Sequence, residues 1–148
     1  MNVLFVCTGN SCRSPMAEVA FSDLLQRRGV TGVVARSAGL AAFPGTPATP
    51  QAAFAVSLEG LNLGEHRART LDAELIDWAD LVVPMTRAHA NQIRHTYPAA
   101  GEKTRTLLSF AGKKADVDDP IGGDSETYVR CLETMKPALE ALARFVAE

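Results

Sequence analysis

The stretch Cys7-Thr-Gly-Asn-Ser-Cys-Arg-Ser14 determines how the rest of this sequence is interpreted. It follows Asn2–Val6, a short apolar run typical of a β-strand, and Pro15 then opens a segment with helical spacing. The pattern therefore predicts a strand, a tight loop and the start of a helix. Backbone N–H groups converge at such a junction and the helix dipole favours negative charge, so the loop is a candidate anion site.

The residue types in this loop fit a phosphate group. Gly9 and Asn10 tolerate the positive φ angles that let successive N–H groups turn inward. Arg13 carries a planar guanidinium that matches pairs of phosphate oxygens. Cys7 stands at the end of the strand, where a positive field favours the nucleophilic thiolate. One loop therefore offers a nucleophile, a phosphate cradle and a clamp.

The longer string Val6–Glu18 resembles the low-molecular-weight protein tyrosine phosphatase family at thirteen consecutive positions. The resemblance continues from Asn2 to the last predicted helix, which is essentially the whole chain. It implies the family's α/β fold and hydrolysis of phosphorylated protein side chains through a phosphocysteine intermediate. The plainer alternative is a buried cysteine beside an ordinary capped helix, and it leaves Gly9, Asn10 and Arg13 without a role.

The resemblance also implies roles for individual residues. The Cys7 thiolate attacks phosphorus, the loop N–H groups and Arg13 bind the phosphoryl oxygens, and Asp119 protonates the leaving group. Asp118 is the adjacent alternative for this acid, and without the loop Asp119-Pro120 would be an ordinary turn. The other residues expected to contact the substrate are Thr8, Gly9, Asn10, Ser11, Cys12 and Ser14. Ser14 is further predicted to stabilise the departing thiolate and to cap the first helix.

Two residues outside the loop match further elements of the family. The resemblance implies that the Ser37 hydroxyl supports the phosphate loop, and that His66 hydrogen-bonds Ser37 and so braces the loop around Asn10. From the residues alone, Ser37 belongs to an ordinary turn after a strand, and His66 to a surface loop.

The alternation of strand and helix patterns predicts a doubly wound α/β sheet of about four parallel strands flanked by helices, in one domain over residues 1–148. The strands are expected at 2–6, 33–36, 80–84 and 104–108. Pro137 interrupts the apolar stripe of the last helix, which predicts a kink or a break there. Cys131 lies on that stripe and is predicted to be a buried thiol, whereas His89 and His95 are predicted to lie on the surface.

The composition of the chain predicts which kinds of partner it binds and in which compartment it works. A formal net charge of −2 over 148 residues predicts no broad basic surface for nucleic acid. No apolar run approaches the ~18 residues of a membrane helix, and the first residues lack a signal-peptide pattern. Three cysteines, two of them in the loop, favour a reducing cytoplasm over a disulfide scaffold. Since the loop supplies positive charge and no metal-ligand spacing is present, neither a metal nor another cofactor is expected.

Two other functions share parts of this pattern. Arsenate reductase, a redox enzyme, uses the same loop but would need two further cysteines in the middle of the chain. Residues 79–100 contain none, and Cys131 falls on a helix face. A non-catalytic phosphate-binding module would be expected to lack the nucleophile or the acid, yet Cys7 and Asp119 are both present.

The resemblance also bears on the substrate. Tyrosine-directed members usually carry a bulky apolar residue at the position of Ser11, and aromatic residues after the Asp-Pro, which sandwich a phenyl ring. This chain has Ser11 and Ile121-Gly-Gly123. The family's protein arginine phosphatases carry Thr and a Gly-Gly at these places, and this chain is similar to them also in Ala48-Thr-Pro50 and Met85-Thr86. It departs in having Ser for Thr and Ile121 for an aromatic residue. Phosphoarginine is therefore favoured over phosphotyrosine, which is a close second.

Overall fold

The strand that precedes the phosphate loop is the middle strand of the sheet. This strand, β1 (Asn2–Cys7), pairs in parallel with β2 (Val34–Gly39) on one side and with β3 (Leu81–Pro84) on the other. Cys7 lies opposite Gly39 in the register. Because parallel strands end at the same edge of a sheet, the loop after β1 lies beside the ends of both neighbours.

The computed structural model describes residues 1–148. Five α-helices connect and cover the strands: α1 (Arg13–Arg27), α2 (Pro50–Ser57), α3 (Ala73–Trp78), α4 (Arg87–Thr96) and α5 (Ser125–Ala147). Two 3-10 segments lie at Pro98–Lys103 and Leu107–Ala111. The side chains that cap helices α2 to α5 are those of Thr49, Asp72, Thr86 and Asp124. None of the helices is long and apolar enough to cross a membrane.

The alternation of side chains along β1 separates two hydrophobic clusters. Val3 and Phe5 point to the face covered by α1, α2 and α5, where Phe21 packs edge-on against Phe5 with ring centroids 5.5 Å apart. Leu4 and Val6 point to the opposite face, which α3 and α4 cover. Burial on both faces explains why β1 is apolar throughout rather than alternating. The doubly wound fold is confirmed.

The sheet has three strands rather than the expected four. The predicted fourth strand reaches the sheet at a single point, where Thr104 forms an isolated parallel bridge with Val82 and Arg105 N–H donates to the Val82 carbonyl over 2.9 Å. The chain then turns at Leu107 into a 3-10 segment whose leucines are buried in the cluster that contains α5. Burying those side chains ends the pairing with β3. The strand expected at 33–36 is also longer, since β2 continues to Gly39.

One helix prediction is wrong, and of the two outcomes predicted for Pro137 the break does not occur. Ser14 does not cap α1, because that helix already begins at Arg13 and its cap position, Cys12, makes no side-chain hydrogen bond. Pro137 does not break α5, which runs without interruption from Ser125 to Ala147. Its neighbours Met135, Ala138 and Leu139 are buried in the core, and this packing holds the helix together where proline removes one backbone donor.

Candidate active site

The loop between β1 and α1 leaves a row of backbone N–H groups unused. The five groups from Thr8 to Cys12 donate no hydrogen bond within the protein. Two carbonyls of the same loop accept hydrogen bonds from another segment of the chain. The N–H of Ala41 donates to the Thr8 carbonyl over 2.9 Å, and the N–H of Thr49 donates to the Ser11 carbonyl over 3.0 Å. Since unpaired backbone donors are costly away from water, this arrangement is suited to an anion that accepts from them.

Asn10 holds the loop in this shape. It is fully buried with a φ of 53°, in the left-handed region that asparagine tolerates. Its Nδ2 donates to the hydroxyl oxygens of Ser14 and Ser37, each at 2.9 Å, and its Oδ1 accepts from the N–H of Arg69. His66 Nε2 donates to the Asn10 carbonyl over 2.7 Å. The expected bond between His66 and Ser37 is therefore wrong, because both residues bind Asn10 instead.

The sulfur of Cys7 is buried and has one polar neighbour. Its side chain lies at the end of β1, and Cys7 Sγ is 2.9 Å from the Ser14 hydroxyl oxygen. Because that oxygen already accepts a hydrogen bond from Asn10 Nδ2, the Ser14 hydroxyl is free to donate its own hydrogen to the sulfur. The contact is therefore a hydrogen bond from the Ser14 hydroxyl to Cys7 Sγ. This is the geometry that the predicted role of Ser14 requires.

Arg13 connects the phosphate loop to the loop before α5. Its side chain is 5% exposed, and Nη1 donates to the Val117 carbonyl over 2.9 Å. Nη2 lies 3.6 Å from Asp119 Oδ2, while Asp119 Oδ1 accepts from the N–H of Ile121. The Asp119 side chain is 45% exposed. The guanidinium is thus fixed at one end and keeps donors for a ligand, beside a carboxylate that solvent can reach.

These groups surround one small cleft of about 110 Å³. The residues that line it are Cys7, Thr8, Gly9, Ser11, Cys12, Arg13, Asp119 and Ile121. Asn10 and Ser14 are buried beneath it, and Ser37 and His66 support the loop from behind. The structure therefore brings every residue of the predicted site together. Some line the cleft, some lie buried beneath it, and some support the phosphate loop from behind.

His89 belongs to this region although the sequence pattern assigned it to the surface. It is 9% exposed, and its Nε2 lies 2.9 Å from the Thr8 hydroxyl oxygen. The prediction for His89 is wrong because α4 turns its Ile93 face inward, and His89 is four residues before Ile93. Helical spacing alone was the signal that could have found it.

The other two cysteines of the chain, Cys12 and Cys131, lie in different surroundings from Cys7. Cys12 lines the cleft, and its sulfur is 3.6 Å from the Tyr128 hydroxyl oxygen. Burial, followed by the hydrogen bond to Cys12, raises the pKa of Tyr128 to about 12. Cys131 is buried on α5, as predicted, and burial raises its pKa to about 12. Cys131 therefore stays a neutral thiol near neutral pH, which sets it apart from a nucleophile.

Comparison with known proteins gives a consistent result. The model of the protein family described as "low molecular weight phosphotyrosine protein phosphatase" matches residues 2–148. A protein-arginine-phosphatase of Geobacillus stearothermophilus is 39% identical over 142 residues, which is 95% of this chain and 93% of that protein. A probable low molecular weight protein-tyrosine-phosphatase, EpsP, of Ralstonia solanacearum is 37% identical over 94% of this chain and 91% of its own.

Solved structures give the same result at the level of the fold. A mutant of YwlE from Bacillus subtilis has a TM-score of 0.95 at 37% identity, covering 100% of this chain and 99% of its own. A C7S mutant of the YwlE arginine phosphatase, with a phosphorylated active-site serine, has a TM-score of 0.94 at 37% identity, covering 99% and 95%. The chain belongs to the low molecular weight phosphotyrosine protein phosphatase family and is a phosphatase of phosphorylated proteins.

Proposed function

We propose that this chain hydrolyses phosphoarginine in proteins through a phosphocysteine intermediate. Cys7 attacks phosphorus, so that an S–P bond forms while the P–N bond breaks, and Asp119 gives its proton to the departing guanidine nitrogen. Water then attacks the phosphocysteine and gives a proton to the Asp119 carboxylate, and inorganic phosphate leaves as the S–P bond breaks and its electrons return to Cys7. The unused N–H groups of the loop and Arg13 stabilise the charge on the phosphoryl oxygens.

The residues that line the cleft are the main observation that favours phosphoarginine over phosphotyrosine. No aromatic ring is among the residues that line the cleft, and Ser11 and Ile121 are part of that lining. The hydroxyl of Tyr128 contacts the Cys12 sulfur, but Tyr128 is only 2% exposed and does not line the cleft. A phenyl ring would therefore find no stacking partner, whereas a small hydroxyl residue leaves room for a branched polar group.

The charges at the mouth also suit a guanidinium. Asp119 lines the cleft and Asp118 precedes it on the same loop, and both residues are exposed. Carboxylates pair with guanidinium groups through short, charge-assisted hydrogen bonds, and protonation of the nitrogen is what makes it a leaving group. The similarity to protein-arginine-phosphatases over nearly the whole chain supports the same choice.

Phosphotyrosine is the second candidate. Ile121 is 64% exposed at the mouth and offers an apolar surface to a ring. Protein-tyrosine-phosphatases are also among the relatives, at 34 to 37% identity. The two substrates differ in shape and polarity, so residue 11 is the position that separates them.

The test compares phosphoarginine and phosphotyrosine peptides of the same sequence, by kcat/KM, in wild type and Ser11→Ile. The wild type is expected to prefer phosphoarginine, and Ser11→Ile to move the ratio by about tenfold towards phosphotyrosine, since added apolar surface next to a ring is worth about 1–3 kcal/mol. Ser22→Ile, on the exposed face of α1, is the matched control and should leave the ratio unchanged. A wild type that prefers phosphotyrosine, with a ratio that Ser11→Ile does not alter, contradicts the proposal. Cys7→Ser should be inactive on both peptides.

The proposal also includes the surroundings of the enzyme. A working thiolate is expected in a reducing compartment, so the cytoplasm remains the predicted location. The expected partners are phosphorylated proteins, and neither nucleic acid nor a membrane surface is a predicted partner, since the net charge is −2.

A further inference from the structure

His89 is the one side chain with a buried polar atom that lacks a hydrogen-bond partner, its Nδ1. The ring lies on α4 behind the phosphate loop, and its other nitrogen, Nε2, is 2.9 Å from the hydroxyl oxygen of Thr8. Thr8 is exposed and lines the cleft. A buried imidazole thus contacts, from behind, the side chain of the residue that follows the nucleophile.

The enclosure of Nδ1 determines which nitrogen carries the proton. A neutral imidazole has one N–H donor and one lone pair. A proton on Nδ1 would be a buried donor with no acceptor, and such orphaned donors are rarer in proteins than under-used acceptors. The imidazolium would carry that proton too. Burial, and to a smaller extent Arg13, lower the pKa of His89, against the opposing charges of Asp116 and Asp119. The neutral ring therefore donates from Nε2 to the Thr8 hydroxyl.

This tautomer leaves the Thr8 hydroxyl with its own proton to give. His89 is the only protein group within hydrogen-bonding distance of that oxygen. The acceptors that a phosphorylated arginine brings into the cleft are its phosphoryl oxygens, because guanidinium nitrogens only donate. A hydroxyl that already accepts one hydrogen bond is also polarised into a stronger donor.

We propose that His89 is a positioning residue, which orients the Thr8 hydroxyl as an additional hydrogen-bond donor to the phosphoryl group during transfer. The proposal rests on the phosphatase function above. It adds a side-chain donor to the backbone N–H groups and Arg13.

The first experiment is a double-mutant cycle with a phosphoarginine peptide and an aryl phosphate. Thr8→Val keeps the shape of the side chain and removes the hydroxyl, and His89→Leu removes the ring donor. Each is expected to lower kcat about 10- to 100-fold, the range for a lost bond to a charged group, with a smaller change in KM. The double variant should be no worse than Thr8→Val, because His89 acts through Thr8. His89→Gln, whose amide can reach the position of Nε2, should recover most of the loss. His95→Leu, exposed on the same helix, is the control.

Several results would overturn the assignment. They are a Thr8→Val variant with normal kcat, losses that multiply in the double variant, or a His89→Gln variant as slow as His89→Leu. A second measurement works even without turnover: ¹⁵N NMR of the imidazole should show the neutral Nε2–H tautomer. Added inorganic phosphate should shift its signals in wild type and not in Thr8→Val. An Nδ1–H tautomer, or a ring insensitive to phosphate, rejects the role of His89. A wild type that hydrolyses neither substrate rejects the proposed function, and the NMR result then decides this inference by itself.

Discussion

Two adjacent carboxylates on the loop before α5 differ in what they contact. Asp119 lies 3.6 Å from Arg13 and lines the cleft, whereas the polar contact of Asp118 is through its backbone carbonyl, which accepts from the Cys131 thiol. Asp119→Asn should therefore slow turnover by about 10²- to 10⁴-fold, the range of general acid–base catalysis, and Asp118→Asn much less. Steady-state rates on a phosphoarginine peptide measure this. On an aryl phosphate whose leaving group needs no proton, the loss should shrink. A larger loss in Asp118→Asn would show that Asp118, rather than Asp119, is the acid.

The two thiols of the cleft form the basis of a second prediction. Cys7 and Cys12 line the same small cleft, and both are free thiols. Peroxide is expected to oxidise the pair to a Cys7–Cys12 disulfide with release of water, so that activity is lost and returns with dithiothreitol. Cys131, a buried thiol whose pKa burial raises to about 12, should stay reduced and serves as the internal control. Peptide mass spectrometry decides: sulfinic or sulfonic acid at Cys7 with Cys12 unmodified would refute the prediction.

At the scale of residues, the catalytic side chains could be predicted from the sequence better than the contacts of the two histidines. Cys7, Arg13 and Asp119 could be identified because few residue types perform their chemistry, and the structure places them around one cleft. The contacts of His66 and His89 could not be predicted, because either ring fits a surface loop or a buried network equally well from sequence. Which one applies depends on α4 and the loop around residue 66 packing against the phosphate loop, and these contacts span 81 and 56 residues of chain.

At the scale of elements, the end of β2 fits closely against the phosphate loop. A Cβ added to Gly39 would be 2.6 Å from the Thr8 carbonyl oxygen and 2.9 Å from the Asn10 nitrogen, both backbone atoms that cannot rotate away. Gly39→Ala should therefore displace the loop and lower kcat/KM about 10- to 100-fold, since small displacements of catalytic groups are costly. Gly101→Ala, where an added Cβ meets nothing within 4 Å, is the control and should keep normal activity. Equal activities of the two variants would show that the loop absorbs the displacement.

The elements themselves show where sequence patterns are sufficient. β1 and β3 could be located because both are buried on two faces, and a short, continuous apolar run is typical of a central parallel strand. The segment after Thr104 could not, because its leucines fit a strand and a 3-10 turn equally well. The choice depends on whether β3 or α5 takes up Leu107, and the structure shows that it packs in the cluster with α5. α5 shows the opposite case, in which packing overrides the local tendency of Pro137 to end a helix.

At the scale of the molecule, the buried histidine makes stability depend on pH. Burial and Arg13 lower the pKa of folded His89 from 6.5, despite Asp116 and Asp119. Below about pH 6.5 the histidine is protonated in the unfolded chain but stays neutral in the folded protein until its lower pKa is reached. The free energy of unfolding should therefore fall as the pH falls from about 6.5 towards that lower pKa. His89→Gln removes this titration, and its stability should decline less between pH 7 and 5. Urea unfolding at each pH measures the difference. Parallel curves for the two proteins would contradict the prediction.

The bond from Arg13 to the Val117 carbonyl also restricts what evolution or an engineer can change. It links two segments that are 104 residues apart, and Val117 is itself held by its N–H to the Met85 carbonyl after β3. The guanidinium therefore takes its position from the length of the segment between the 3-10 turn and α5. A surface loop normally tolerates insertions, but here one residue more or less ahead of Val117 would move the anchor of the phosphate clamp. Variation of this loop should thus be confined to substitutions, with insertions and deletions found only beyond Pro120.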